Sequence, residues 1–202
     1  LRMTGKFIIS PSQVPAYTRA IFYLENQQIL YFVDLRTFWI MYLIPQQKLT
    51  DFFRNLGVEP LSQQLSLPYL EARLKTKKIP IKEILLDQRI IAGIGNIYAS
   101  EILFASRLNP FRKGNTLTPI EIKKLILNIK KILKKAIKYQ GTTILNYRNI
   151  DNQTGRFRKF LKVYGRANQP CFICQTPIIR IKQSQRSTFY CPVCQPINST
   201  LK

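Results

Sequence analysis

Histidine is absent from the 202 residues, and acids are scarce: Asp+Glu number 10 against 32 Lys+Arg, a formal charge of +22. The first absence excludes a Ser-His-Asp triad and any histidine metal ligand. The second leaves most cations without an acidic partner and points to a polyanion, nucleic acid foremost. A lipid surface or ribosomal RNA fits the charge equally well. No run reaches 18 apolar residues and no charged-then-apolar leader opens the chain, so neither a membrane span nor a secretory signal is expected. With 46% apolar residues, a chain of this length buries a core without disulfide staples and is no disordered basic tail. It opens at Leu1 on a strand-like run and reads as a piece of something longer.

Short aromatic and β-branched runs at 6–10, 20–25, 28–34 and 38–44 predict four strands, with a hairpin turn at Glu25-Asn26-Gln27. From about residue 47 the period turns helical. KLTDFFRNLG ends at Gly57, read as a C′ glycine with Pro60 beyond it. PYLEARLK and IKEILLDQRI are further helical stretches. After a break at Ala92-Gly93-Ile94-Gly95, a helix restarts at Asn96 and runs to about Ser106. Thr118-Pro119-Ile120-Glu121 is a capping box with proline at the first helical position. Behind it Ile122, Leu125, Ile126, Ile129, Ile132, Leu133, Ala136 and Ile137 share one face, and lysines crowd the other. That lysine face reads as solvated surface and is no sign of DNA binding. Residues 146–160 are polar, basic and aperiodic, a long loop of the kind that is functional or mobile. Four half-apolar strands need a second layer, which either the helices or an absent half-sandwich supplies; the strand at the very start of the chain favours the absent half.

Cys171-Phe-Ile-Cys174 and Cys191-Pro-Val-Cys194 are two C-x2-C knuckles. Two such turns complete a tetrahedron around zinc, and four protein ligands leave no open position, so one structural zinc is expected. Two disulfides or an iron–sulfur cluster are the weaker readings. Between the knuckles, two strands flank a hairpin tip at Gln183-Ser184-Gln185-Arg186, a probe suited to a groove or a phosphate. Gly93 and Gly95 allow a tight turn, and Asn96 falls at or near a helix N-cap, where free N–H groups favour a phosphate. As a bare G-x-G this is weak: it lacks the third glycine and preceding strand of a dinucleotide site, and a plain helix–turn–helix corner accounts for it.

GIGNIYASEILF at 93–104, GTT at 141–143, VYGR at 163–166 and QRSTFYC at 185–191 together resemble the formamidopyrimidine-DNA glycosylases, bacterial enzymes that remove 8-oxoguanine and ring-opened purines. The resemblance runs in order from Leu1 to about Gln195. The opening Leu1-Arg-Met-Thr-Gly5 looks like the family's methionine-bearing strand. Leu35-Arg-Thr-Phe38 looks like its arginine-and-phenylalanine loop, although the family usually has proline at the place of Leu35 and arginine at that of Thr37.

The resemblance implies an α+β fold in three parts. Residues 1–58 would be the C-terminal part of a β-sandwich catalytic domain, 59–162 a helix–two-turn–helix DNA-binding domain with the lesion loop, and 163–202 the zinc-ribbon finger. It implies that Met3, Arg36 and Phe38 enter the duplex when a damaged nucleotide flips out, and that Asn96 and Arg186 clamp phosphates. Read without it, Met3 and Phe38 are core side chains. It further implies zinc at Cys171, Cys174, Cys191 and Cys194, a monomer acting on duplex DNA with oxidised purines, no membrane partner, and a bacterial cytoplasm or a plastid as its place. In the family the nucleophile is the amine of an N-terminal proline, aided by a glutamate and a lysine, all expected upstream of Leu1. The implied activity is thus glycosylase and AP lyase for the parent protein, with DNA binding alone for these 202 residues. An endonuclease-VIII-type enzyme for oxidised pyrimidines and a non-catalytic zinc-ribbon protein are the alternatives.

Overall fold

In a computed structural model, residues 4–9, 13–38, 40–143 and 154–197 are described. The chain divides into two compact units, Leu1–Leu49 with Lys135–Phe160 and Thr50–Lys134 with Leu161–Lys202.

The first unit holds strands β1 (Lys6–Ile9), β2 (Thr18–Tyr23) and β3 (Ile29–Val33), an antiparallel sheet in the order β1-β3-β2. The β2–β3 hairpin closes where expected: Leu24 N–H donates to Gln28 O at 2.9 Å, and Gln27 takes φ +60. Alternation along β2 leaves Ile21 and Tyr23 exposed, whereas central β3 buries Tyr31, Phe32 and Val33. Phe7 and Phe32, opposite one another in the ladder, have ring centroids 5.2 Å apart, a cross-strand pair that helps fix the register.

The predicted fourth strand does not form. Ile40, Met41, Tyr42 and Leu43 are irregular and exposed. Their run is apolar at consecutive positions instead of alternate ones, stops at Pro45, and finds no ladder partner among the described residues. β-propensity without a partner strand does not make a strand.

The second unit packs helices α2 (Leu67–Leu74), α3 (Ile81–Leu86), α4 (Asn96–Ser106) and most of α5 (Pro119–Lys138) around one core. Leu70 and Leu74, one turn apart on α2, meet Ile81, Ile84 and Leu85 of α3. Each fully buried side chain of this size contributes roughly 1.5–3 kcal/mol. Ser66 caps α2 by accepting from Tyr69 N–H at 3.4 Å, with proline in the first turn. α3 ends at Leu86, short of the predicted stretch, because the Asp87 carboxylate draws the Arg89 N–H (3.0 Å) and guanidinium (2.9 Å) into a turn. α5 starts on its capping box: Glu121 N–H donates to Thr118 Oγ1 at 3.3 Å, and Thr118 N–H to Glu121 Oε2 at 2.9 Å.

The helix expected up to Gly57 is only α1 (Leu49–Phe53), preceded by a 3-10 turn at Gln46–Lys48. Gly57 is not its cap. Its N–H donates to Gln88 O at 2.7 Å, and a Cβ there would lie 2.3 Å from the Ile90 carbonyl. Glycine is required for that close approach of two chain segments.

Strands β4 (Ile179–Gln183) and β5 (Arg186–Tyr190) pair as the ribbon between the cysteine knuckles. Ser184 and Gln185 turn the hairpin with φ +45 and +61. Gln183, expected at the tip, is buried instead: its amide reaches Pro110 O (3.4 Å) and its Oε1 accepts from Thr188 (3.1 Å). Most of the loop expected at 146–160 lies outside the described residues. Its last part is anchored, with Phe157 buried and Phe157 N–H donating to Gly141 O at 3.0 Å.

Candidate nucleic-acid interface and zinc site

The loop after β3 is built on Asp34. This buried carboxylate accepts from Phe38 N–H (3.0 Å), from Arg36 N–H (3.3 Å) and from the Thr4 hydroxyl. The turn so formed displays Phe38 half-exposed, with the Arg36 guanidinium 5.4 Å from its ring centroid. Phe38 is therefore no core residue. Met3 lies outside the described residues.

In the second unit, the link from α3 to α4 is organised by Gln88. Its Oε1 accepts from Gly93 N–H at 2.7 Å and its amide donates to Ile94 O at 3.1 Å, holding Gly93 at φ +82. Gly95 is the N-cap of α4, Asn96 is the first helical residue, and no side chain caps this end. Asn96 Nδ2 donates to Ser187 O of β5 at 2.9 Å, while its Oδ1 is buried without a hydrogen-bond partner among the described residues. The same Ser187 carbonyl accepts from Lys82 Nζ at 3.1 Å, and Lys82 also donates to Thr188 Oγ1 at 2.7 Å. Asn96 is thus tied to the residue next to Arg186, whose side chain is exposed at the hairpin tip. Lys82 is 1% exposed. Burial and the neighbouring Arg186 charge pull its pKa down to about 8, against a smaller upward pull from Glu83.

The four cysteine sulfurs lie within 4.8 Å of one another, with Cys171–Cys194 at 3.8 Å, Cys174–Cys194 at 3.5 Å and Cys174–Cys191 at 3.4 Å. A ZnS4 tetrahedron with bonds of about 2.3 Å has edges of about 3.8 Å, so the group fits the ion and no cysteines are paired as disulfides. Ile173 and Cys194 N–H groups donate to Cys171 and Cys191 sulfurs, each at 3.4 Å, as knuckle turns do. Burial pushes the Cys191 and Cys194 thiols up, while hydrogen bonds from Thr176 bring Cys174 down to about 6. A divalent cation offsets the cost of crowding these thiolates together. The knuckles rest on the helices through Gln195, which donates to Leu108 O at 2.7 Å and accepts from Cys191 N–H at 3.0 Å. Glu101 of α4 accepts three N–H bonds, from Lys162 (2.8 Å), Val163 (2.9 Å) and Tyr164 (2.8 Å), where the chain enters the ribbon.

Sequence reasoning missed Lys82, Gln88, Asp34 and Gln195. The Asp-Leu-Arg and Asp-Gln-Arg tripeptides carry a weak turn signal for Asp34 and Asp87. A buried lysine bonded across 105 positions leaves none.

These elements define a zinc-ribbon protein with a helix–two-turn–helix module. Family models match in the same places: the formamidopyrimidine-DNA glycosylase H2TH domain over residues 56–147, and the zinc finger found in FPG and IleRS over 168–197. The formamidopyrimidine-DNA glycosylase of Rickettsia africae is 46% identical over 198 residues, covering 96% of this chain and 72% of its relative. The crystal structure of MutM (FPG) from Thermus thermophilus superposes with a TM-score of 0.87 at 37% identity, covering 98% of this chain and 74% of that one. Lactococcus lactis FPG bound to DNA containing Fapy-dG gives 0.87 at 31% identity, covering 96% and 72%. The chain belongs to the formamidopyrimidine-DNA glycosylase family of DNA repair enzymes. Its α+β fold, its one structural zinc and its family thus agree with expectation. Among the described residues no helix is long and apolar enough to cross a membrane.

Proposed function

We propose that the parent protein excises 8-oxoguanine and formamidopyrimidines from duplex DNA, as a monomer, and then cleaves the strand as an AP lyase. The observation that carries this is the junction of Asn96, Ser187 and Arg186. It joins an uncapped helix N-terminus to the tip of a zinc-rigidified hairpin, so two kinds of phosphate donor are held in register. Phosphate oxygens accept from such donors whatever the sequence, which positions the duplex without reading bases. Specificity then falls to the residues that enter the helix. In this reading Phe38, Arg36 and Met3 fill the gap left by the flipped nucleotide: the ring and thioether replace lost stacking, and the guanidinium pairs with the widowed cytosine. Part of 146–160 closes over the extruded purine.

The chemical step needs a secondary amine of low pKa that attacks the sugar C1′ and gives up its proton while the base leaves with one. Cleavage of C1′–O4′, with O4′ taking a proton, then opens the ring to an iminium, and β- and δ-elimination break the strand. An N-terminal proline supplies it in this reading, and no residue of the 202 takes that role. The 202-residue polypeptide therefore binds DNA in a salt-sensitive manner but excises no base.

Borohydride trapping tests both parts. A product extended at its N-terminus to the length of its relatives is expected to form a covalent adduct on an 8-oxoguanine:cytosine duplex and little on a thymine-glycol duplex. The 202-residue chain is expected to form none while still shifting the duplex. Preferential trapping on thymine glycol would favour the oxidised-pyrimidine enzyme, and an adduct from the shorter chain would overturn the assignment of the nucleophile.

A further inference from the structure

The zinc ribbon carries a second cationic feature. A cleft of about 260 Å³ is lined by Arg180, Ile181, Lys182, Gln185 and Ser187. Ladder pairing sets Lys182 opposite Ser187 and Arg180 opposite Phe189. Strand alternation therefore gathers Arg180, Lys182 and Ser187 on one face and sends Gln183, Arg186 and Thr188 to the other. The cationic side chains of the cleft thus lie on the face opposite Arg186, although Ile181 of its lining alternates with them onto the Arg186 face.

Its donors converge and are held. Arg180 Nη2 donates to Ser187 Oγ at 3.2 Å, and its guanidinium lies 5.9 Å from the Phe189 ring centroid. Having accepted from Arg180, the Ser187 hydroxyl keeps its own proton for an acceptor in the cleft, and the Gln185 amide at the rim adds further donors. Among the described residues no carboxylate lines the cleft. Glu83, the acid that reaches this hairpin, is engaged at the turn, accepting from Ser184 Oγ at 2.7 Å. Two cations and two neutral donors with no internal counter-charge suit a tetrahedral oxyanion, and the guanidinium fork matches two of its oxygens.

We propose that this cleft seats a backbone phosphate of bound DNA, separate from the phosphate contacts of Asn96 and Arg186. The proposal rests on the DNA-binding reading above. It gives the ribbon two phosphate grips, one on each face, so that the hairpin straddles the backbone instead of touching it with its tip alone.

The test compares zinc-loaded wild type with Arg180→Gln/Lys182→Gln and with Asn96→Ala/Arg186→Ala, by anisotropy of a labelled duplex over a series of salt concentrations. Unchanged zinc content and thermal midpoint establish that each variant is folded. Arg180→Lys, which keeps the charge but not the fork, is the conservative control. Losing one phosphate contact is expected to weaken binding about tenfold near 0.1 M salt and to reduce the log–log salt slope by about 0.9. Arg180→Lys recovers the slope but only part of the affinity. If wild type binds and Asn96→Ala/Arg186→Ala weakens it, but the cleft variant keeps wild-type affinity and slope, the proposal fails and the DNA reading stands. Failure of wild type to bind any duplex sinks the DNA reading, and the proposal with it. Inorganic phosphate, titrated alone, distinguishes the source. Chemical-shift changes of Arg180 and Ser187 at micromolar phosphate, with DNA affinity unaffected by the cleft variant, would make this a free-anion site and overturn the assignment.

Discussion

Three of the few acids order backbone N–H groups, while Asp87 also pairs with the exposed Arg89 guanidinium. Asp34 holds the Arg36–Phe38 turn, Glu121 closes the capping box, and Glu101 collects three N–H groups at the entry to the ribbon. Burial pushes the Glu101 pKa up while those three bonds pull it back. Its two oxygens are not equivalent: Oε1 accepts from Val163 and Tyr164, and Oε2 from Lys162 alone. Glu101→Ala leaves three donors unpaired and is expected to cost on the order of 3 kcal/mol. Glu101→Gln can keep the two bonds on one oxygen but turns an NH2 toward the Lys162 N–H, so it should cost less. Thermal unfolding of the zinc-loaded variants checks the order Ala worse than Gln worse than wild type; equal stabilities would refute it. The role of Glu101 was hidden in the sequence because its partners are backbone atoms 61 to 63 positions away, which no local pattern encodes.

At the scale of elements, legibility followed the range of the forces involved. α5 was readable because a capping box and a 3.6 period are local, and the ribbon because cysteine spacing is a geometric constraint. The strand at 38–44 and the long helix before Gly57 were misread because each depends on a neighbour: the first has no paired strand among the described residues, and the second gives way to a close passage of Gly57 against Ile90. In the candidate site, Asn96 and Arg186 stood out from the sequence, and what joins them did not. The ribbon has a core of few residues, with Val163, Ile178 and Phe189 around the cysteines, so metal binding is a large part of its folding energy. Chelation of zinc is expected to unfold the β4–β5 hairpin and lower DNA affinity at least tenfold, while the α2–α5 core keeps its helical circular dichroism. Retention of full affinity after verified zinc removal would contradict the role given to the ribbon.

Across the whole molecule, a charge of +22 makes any DNA complex sensitive to salt, and one buried group makes it sensitive to protons as well. Lys82, with a pKa near 8, sits next to Arg186, whose charge helps hold that value down. A phosphate seated on Arg186 cancels part of that repulsion, so the Lys82 pKa rises on binding. The complex then holds more protons than the free protein at and above about pH 8, and by linkage its affinity falls as pH rises through the free-protein value. At pH 6.5 Lys82 is already charged in both states and no uptake follows. Calorimetric titrations at pH 8.3 in buffers of different ionisation enthalpy should reveal a fraction of a proton taken up per duplex, absent at pH 6.5 and absent in Lys82→Met. An uptake that persists in Lys82→Met would assign the proton elsewhere. With it on Lys82, a lysine sealed inside the protein at 1% exposure becomes a meter of whether the neighbouring arginine has found its phosphate.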